Sequence, residues 1–244
     1  MGLPTIERDV TLGRYHAPAA AGSDRLPSLV LIHDVWGLSE HSRDLAADVA
    51  SEGFGVLEID LYREMGEVEI ESPGPFIRSL SDPELLADLD RGADWLRTET
   101  LAGPKLGVMG VCMGGTYALL AACLSDRFAA SAPFYGILSY EEGLLANPEG
   151  RDRERKPTSP LEAADRLKMP ILAAFAAEDE FVPVDHVREL RERFEGTAES
   201  ARVDVYPDAG HAFLNRTRAA AYRPEASAAA WALLIPFLRT QLGA

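Results

Sequence analysis

Short apolar runs alternate with longer amphipathic stretches along most of the chain. Several of the apolar runs lack the polar–apolar alternation of a half-exposed strand, as expected for parallel strands covered on both faces. They predict strands at residues 10–15, 29–33, 56–60, 105–110, 129–135, 170–176 and 202–206. The amphipathic stretches predict helices at residues 40–52, 83–98, 112–125, 185–194 and 225–240. The last of these contains Pro236, which should kink or shorten it.

This alternation favours an α/β fold of one domain, residues 1–244. Its mostly parallel sheet would be doubly wound, with right-handed crossovers and helices on both faces. Residues 63–80 and 139–159 do not fit the alternation, because they are rich in glycine, proline and charge. They are candidates for an active-site rim, and surface insertions are an equally good interpretation.

Charge and composition narrow the range of partners. The 244 residues carry a formal net charge of −15, which would repel nucleic acid. The densest basic stretch, residues 151–156, is interleaved with acids and predicts a solvated loop. Since apolar runs are too short to cross a bilayer and no secretory signal is evident at the start, we expect a cytoplasmic protein without a membrane partner. The two cysteines, Cys112 and Cys123, have no metal-binding spacing, so no metal is expected.

The sharpest chemical signal surrounds Cys112. Gly110, Gly114 and Gly115 flank it in GVCMGG, between a predicted strand and a predicted helix. This G-x-C-x-G pattern is that of a nucleophile elbow with sulfur in place of oxygen, where glycines remove clashes at a tight turn. The helix N-terminus favours thiolate over thiol. Cys123, deep in the same helix without flanking glycines, is expected to be a buried core residue.

A thiolate nucleophile needs a base and a group that orients it. His211 follows the last predicted strand, and Asp179 follows the strand before it. The order nucleophile, acid, histidine is the one that α/β-hydrolases use. Read separately, Asp179 could be a helix cap and His211 a polar loop residue, but three such residues in order, each just past a strand, favour catalysis.

A second glycine-containing loop, HDVWG, follows the strand at 29–33. It should supply one oxyanion donor, the backbone N–H of Val35, with the N–H of Met113 as the other. We interpret His33 as supporting this loop. His16 and His41 lie in surface-like contexts and His186 in a charged helix start, so all three are expected to be structural or solvated.

With these motifs in view, the chain resembles the dienelactone hydrolase family (carboxymethylenebutenolidases). The resemblance runs through HDVWGL, GFGVLEIDLY, GVCMGG, PFYG, AAEDEFVP and DAGHAFLN. It implies cofactor-free hydrolysis of small esters or lactones by Cys112, Asp179 and His211 through an acyl-enzyme, as a monomer or homodimer. A different small acyl substrate, such as a thioester, and a non-catalytic binding protein of the same fold are the alternatives.

The resemblance also implies roles for residues around the nucleophile. The family places an acid, usually glutamate, beside the thiol to assist its deprotonation, and that position here is Asp34. The family holds the substrate carboxylate with arginines, for which Arg78 and Arg216 are the candidates. We expect Trp36 and Tyr135 to line the substrate pocket, although Phe134 and Tyr135 could equally be core residues.

Overall fold

A single mixed sheet organises the protein in the computed structural model, which describes residues 2–20, 22, 25–196 and 200–243. Its eight strands within this described part follow the spatial order β1-β2-β4-β3-β5-β6-β7-β8. The strands are β1 Thr5–Val10, β2 Gly13–Pro18, β3 Leu26–Ile32, β4 Gly55–Ile59, β5 Ala102–Val111, β6 Ala130–Phe134, β7 Ile171–Ala176 and β8 Ala201–Tyr206. The first two pair antiparallel with their neighbours, and all the others are parallel.

Helices cover both faces of the sheet. They are α1 Glu40–Ser51, α2 Pro73–Ser79, α3 Asp82–Glu99, α4 Met113–Leu124, α5 Pro160–Ala164, α6 Val184–Glu195 and α7 Pro224–Leu242. Residues of α3, α4 and α6 belong to one apolar core, and residues of α1 and α7 belong to the other. The predicted single-domain, doubly wound architecture is confirmed. None of the helices described is long and apolar enough to span a membrane.

Alternate residues of the central strands enter opposite cores, which explains their uninterrupted apolar sequences. In β3, Val30 and Ile32 face the core under α3 and α4, whereas Leu29 and Leu31 face the core under α1 and α7. Such a strand is largely apolar at successive positions, because each of its faces meets an apolar core.

The first predicted strand, residues 10–15, is wrong as one continuous strand, because β1 ends at Val10 and β2 begins at Gly13. The chain there turns through Thr11 and Leu12 and pairs Val10 with Gly13, so this segment joins the antiparallel strands β1 and β2. Gly13 has φ +140°, and a Cβ at this position would overlap the carbonyl oxygen of Glu58. Glycine therefore permits the turn and the close approach of β4, which a hydrophobicity pattern does not reveal.

Three further expectations need correction. The segment 63–80 is not wholly irregular, because it contains α2. Helix α7 continues past Pro236 to Leu242, so it is not shortened there; Leu234 and Leu238, on either side, stay buried. The basic stretch 151–156 is not simply solvated, because Lys156 is only 3% exposed and lies on the Asp82 carboxylate at 2.6 Å.

Candidate active site

Cys112 occupies a strained turn between β5 and α4. Its φ of 55° and ψ of −119° lie outside the regions that a non-glycine residue normally adopts. The flanking glycines make the turn possible, since a Cβ on Gly110 would overlap the Gly114 carbonyl and one on Gly114 would overlap the Ile32 carbonyl. The structure thus places Cys112 at the carboxyl end of the central strand, partly exposed at the start of a helix.

Asp179 and His211 meet at the same edge of the sheet, one after β7 and the other after β8. His211 Nδ1 donates to Asp179 Oδ2 at 2.9 Å. The other carboxylate oxygen, Oδ1, accepts the backbone N–H groups of Phe181 at 2.9 Å and Val182 at 3.2 Å. These bonds fix the carboxylate, which in turn fixes the tautomer and the orientation of the imidazole.

The environment of His211 favours its protonated form. Burial of the ring lowers its pKa, but the charge of the Cys112 thiolate and hydrogen bonds with Asp179 and Cys112 outweigh burial and raise the pKa to about 10. The rings of Phe181 and Tyr135 enclose the imidazole edge-on, with centroids at 5.0 and 5.2 Å. The structure therefore brings the three predicted residues together as an Asp179–His211–Cys112 arrangement.

The backbone N–H groups of the two predicted oxyanion donors have no acceptor among the residues that the structure describes. Neither Val35 N–H nor Met113 N–H donates to an acceptor in the part of the chain described. Tyr62, which the sequence did not single out, ties these two segments together. Its hydroxyl donates to the Val35 carbonyl at 3.1 Å and lies 3.2 Å from Met113 Sδ.

His33 supports this loop from beneath, as expected. It is completely buried, and burial lowers its pKa, so the ring is neutral. Nε2 accepts the backbone N–H of Leu61 at 3.2 Å, which leaves Nδ1 to donate to the Asp34 carbonyl. A neutral imidazole with one donor and one acceptor matches both partners.

Asp34 lies in this loop with its side chain directed back to the backbone. Its Oδ1 accepts the N–H of Trp36 at 2.9 Å. Among the described residues no hydrogen bond joins this carboxylate to Cys112. Asp34 and Cys112 nevertheless lie near the same two tyrosine hydroxyls. Burial is the largest cause that raises the pKa values of Tyr62 and Tyr135, and the charges of Asp34 and Cys112 raise both further.

A pocket of about 370 Å³ opens beside Asp34, and two of the predicted substrate-binding residues differ in their relation to it. Trp36 lines it and is 46% exposed, with the Arg218 guanidinium 5.8 Å from its ring centroid. Arg216 does not line it, because it pairs with Asp48 at 2.9 Å on α1. The arginine that faces the pocket is thus two residues beyond the predicted one.

Arg78 is also outside this pocket. It lines a separate cavity of about 400 Å³ with Arg151, Lys156 and other residues, and it donates to the Leu144 carbonyl at 3.2 Å. Neither Arg78 nor Arg216 therefore contacts the Asp179–His211–Cys112 arrangement through any interaction described. Tyr135 does, and Phe134 is completely buried beside it.

His16 and His41, whose sequence contexts are typical of the surface, are both buried. His16 is 1% exposed, with Nε2 at 3.2 Å from Glu58 Oε2, and His41 is 4% exposed. His16 has a structural role, one of the two predicted alternatives, because its partner Glu58 comes from β4, 42 positions further along the chain. No group of three or more His, Cys, Asp or Glu side chains in the described part is arranged to hold a metal ion.

The fold, with cysteine, aspartate and histidine placed after β5, β7 and β8, is that of an α/β-hydrolase. The chain belongs to the dienelactone hydrolase family, whose sequence model matches residues 13–242. It is a carboxylic ester hydrolase of that family.

Individual relatives agree with this assignment. A Bradyrhizobium protein, provisionally named a 2-oxo-3-(5-oxofuran-2-ylidene)propanoate lactonase, is 31% identical over 89% of this chain and 85% of its own. An Escherichia coli (strain K12) protein, provisionally named a carboxymethylenebutenolidase, is 30% identical over 88% of this chain and 76% of its own. The crystal structure of a provisionally assigned dienelactone hydrolase from Klebsiella pneumoniae superposes with a TM-score of 0.82, at 27% identity, covering 96% of this chain and 98% of the other.

Proposed function

We propose that the protein hydrolyses small carboxylic esters or lactones with Cys112 as the nucleophile, through an acyl-enzyme. The observation that carries this proposal is His211, which hydrogen-bonds Asp179 on one side and interacts with Cys112 on the other. A binding protein of the same fold would have no need for a nucleophile, a base and an orienting carboxylate together.

The proposed reaction has two halves. In the first, Cys112 Sγ attacks the carbonyl carbon, the carbonyl oxygen becomes an oxyanion between the N–H groups of Val35 and Met113, and His211 holds the sulfur's former proton. Collapse breaks the carbon–oxygen bond of the ester, and His211 protonates the departing alkoxide. In the second half, His211 takes a proton from water, whose oxygen attacks the thioester carbon and releases the acid and the thiol.

The substrate would lie over Trp36 in the pocket beside Asp34, whereas Tyr135 is buried and is not among the residues that line this pocket. The exposed face of Trp36 suits a flat, conjugated ester or lactone, and the names of the Bradyrhizobium and Escherichia coli relatives refer to lactones. The charge of Asp34 would oppose ionisation of Cys112, whereas the protonated ring of His211 would favour it. Arg218 replaces Arg216 and Arg78 as the cation of this pocket.

The test compares wild type, Cys112→Ala and Cys123→Ala on dienelactone and on p-nitrophenyl acetate. We expect the first variant to lose turnover of both esters and the second to keep it, since Cys123 is completely buried in α4. Mass spectrometry of quenched wild-type reactions should find one acetyl group, on Cys112. Full activity of Cys112→Ala would refute the proposed nucleophile, and turnover of the acetate alone would point to a different acyl substrate.

A further inference from the structure

Tyr135 carries a hydroxyl that the fold buries without a partner. The residue is 1% exposed, and its hydroxyl makes no hydrogen bond within the described part of the chain. The other deeply buried tyrosines differ, since the hydroxyls of Tyr117 and Tyr140 donate to Asp82 at 2.9 and 2.8 Å. An unpartnered buried hydroxyl destabilises the folded state, so its presence calls for a different explanation.

The backbone of Tyr135 is strained as well. Its φ is 39°, and the non-glycine residues of the described chain with positive φ are Cys112, Tyr135 and Ala212, which follows His211 directly. All three lie at the same site. Strain of this kind persists only where the surrounding structure imposes it, and it concentrates at functional positions.

Neighbouring strands fix Tyr135 beside the nucleophile. Cys112 N–H donates to the carbonyl of Phe134, the preceding residue, at 3.0 Å, and Tyr135 N–H donates to Ala174 at 2.7 Å. The ring packs edge-on against His211 at 5.2 Å and Phe213 at 5.3 Å. The side chain is therefore held from three directions, while its hydroxyl is left without an acceptor.

The ionisable groups that face this hydroxyl are Cys112, Asp34, Asp179 and His211. Burial raises the pKa of Tyr135, and the negative charges of Cys112, then Asp34 and Asp179, raise it further, so the hydroxyl keeps its proton and can act as a donor. Asp179 already accepts three N–H groups, and Asp34 accepts one. Cys112 Sγ, when ionised, is the acceptor that gains most from this donor.

We propose that Tyr135 is a positioning residue whose hydroxyl, unpaired in this structure, donates a hydrogen bond to Cys112 once the thiol ionises, and that the strained turn after β6 keeps the residue beside the nucleophile. This inference rests on the proposed function in taking Cys112 as the nucleophile. The bond favours ionisation of the sulfur and is released when the sulfur's charge passes to the carbonyl oxygen during attack. Its effect is therefore greatest at pH values where the thiol would otherwise be protonated.

The experiment compares Tyr135→Phe with Tyr140→Phe, a matched loss of a hydroxyl from a buried tyrosine outside the site. The readout is the rate of alkylation of Cys112 by iodoacetamide across pH, followed by mass spectrometry so that Cys123 is counted separately. In Tyr135→Phe the alkylation midpoint should move up by about one pH unit, which slows the reaction roughly tenfold below the midpoint and leaves the alkaline plateau unchanged. The acidic limb of kcat/KM should shift in parallel, without a change in KM.

Thermal unfolding supplies an independent readout, measured below that midpoint, where the sulfur carries its proton. Tyr135→Phe removes an unsatisfied hydroxyl, so its Tm should match wild type or exceed it by about 2–4 °C. Tyr140→Phe should lower Tm and leave the alkylation curve of wild type in place.

An alkylation curve for Tyr135→Phe that superimposes on wild type would overturn the proposal, and so would a fall in Tm equal to that of Tyr140→Phe. Alkylation needs no ester turnover. Failure of the proposed function, seen as full activity of Cys112→Ala, is thus distinguishable from failure of the role of Tyr135.

Discussion

At the residue scale, the chemistry depends on charges that are held close together. Asp179 is anchored by two backbone N–H groups, and His211 lies between that carboxylate and Cys112. Burial alone would lower the pKa of His211, so the raised pKa results from the negative charges of Cys112 and Asp179 beside the ring. Removing either charge should therefore change the titration of the histidine.

Cys112→Ser should lower the pKa of His211 well below about 10. The neutral hydroxyl removes the first cause that raises this pKa, while burial, which lowers it, remains. Imidazole resonances followed by NMR against pH would measure the change. Cys123→Ser is the control, because Cys123 lies inside α4 and should leave the titration as in wild type; an unchanged titration in Cys112→Ser would contradict the ion pair.

The raised pKa of His211 also predicts how the stability of the folded protein depends on pH. The folded-state pKa of His211 exceeds the unfolded value of about 6.5, so its protonated ring contributes stability that is fully present below about pH 6.5 and is lost as pH rises through about 10. Urea unfolding of wild type and His211→Gln at pH 6, 8 and 10 should show their difference shrinking towards alkaline pH. A difference that grows with pH would contradict the assignment.

At the element scale, β3, β5, β6 and α4 approach one another through glycines. A Cβ on Gly115 would overlap the Phe134 carbonyl and lie 2.9 Å from the Gly136 nitrogen, both of which are backbone atoms that cannot rotate away. The close packing of α4 on β6 therefore depends on the absence of a side chain.

Gly115→Ala should lower the free energy of unfolding by about 2–4 kcal/mol, despite the better helix propensity of alanine. Urea denaturation would measure it. The matched control is Gly196→Ala at the end of α6, where the nearest atom to a new Cβ is 3.9 Å away and φ is −92°, so the change should stay within about 0.5 kcal/mol. Equal effects of the two substitutions would argue against the close approach.

A second element-scale feature is the attachment of the segment 139–159 to α3. Lys156 lies 2.6 Å from Asp82 Oδ1 and 2.9 Å from the Tyr117 hydroxyl, and Tyr140 donates to the other carboxylate oxygen. Burial raises the pKa of Asp82, and Lys156 is the main group that lowers it. The lysine thus keeps a buried carboxylate ionised.

Lys156→Met should destabilise the protein by about 3–5 kcal/mol at neutral pH, because it leaves a buried charge without its partner. The loss should be smaller in acid: a carboxyl whose pKa is raised by folding loses stability as pH rises through that pKa. Chemical denaturation at pH 5 and 7.5 measures both effects. The double variant Asp82→Asn/Lys156→Met should recover most of the loss, and a double variant no better than the single one would contradict a charge effect.

The sequence predicted elements well wherever one local pattern decided the structure. The apolar run at 29–33 and the glycines around Cys112 are such cases, because burial on both faces and a tight turn each impose a local composition. Prediction from sequence failed where a side chain's partner is far along the chain. Lys156 looked solvated because its partner Asp82 is 74 positions away. The sequence could not show whether Arg216 or Arg218 faces the pocket for a similar reason, because the direction of a loop side chain depends on which segment packs against the loop.

At the scale of the whole molecule, one sheet separates two cores. Trp95 packs beside the core under α3 and α4, whereas Trp231 packs beside the core under α1 and α7. Both cores share the same strands, and loss of either would expose the apolar face of every central strand. The two halves should therefore unfold together.

Unfolding in urea should be one transition at both tryptophans. In Trp36→Phe/Trp231→Phe only Trp95 reports, and in Trp36→Phe/Trp95→Phe only Trp231 reports, so each variant follows one core. Within each variant the fluorescence and far-UV circular dichroism midpoints should coincide. A tryptophan signal that changes before the secondary structure would show that one core melts alone.

The glycine contacts around Cys112 have a consequence for how this enzyme can change over evolutionary time. Backbone atoms of β3, β6 and α4 leave no room for a Cβ on the glycines beside the nucleophile, so substitutions there should destabilise the fold, whereas the side chains of Trp36 and Arg218 are exposed at the pocket. Mutations at the pocket residues can therefore change the substrate specificity step by step while the catalytic mechanism stays the same. Relatives that share this fold should therefore differ in the substrates they accept long before they differ in the type of reaction they catalyse.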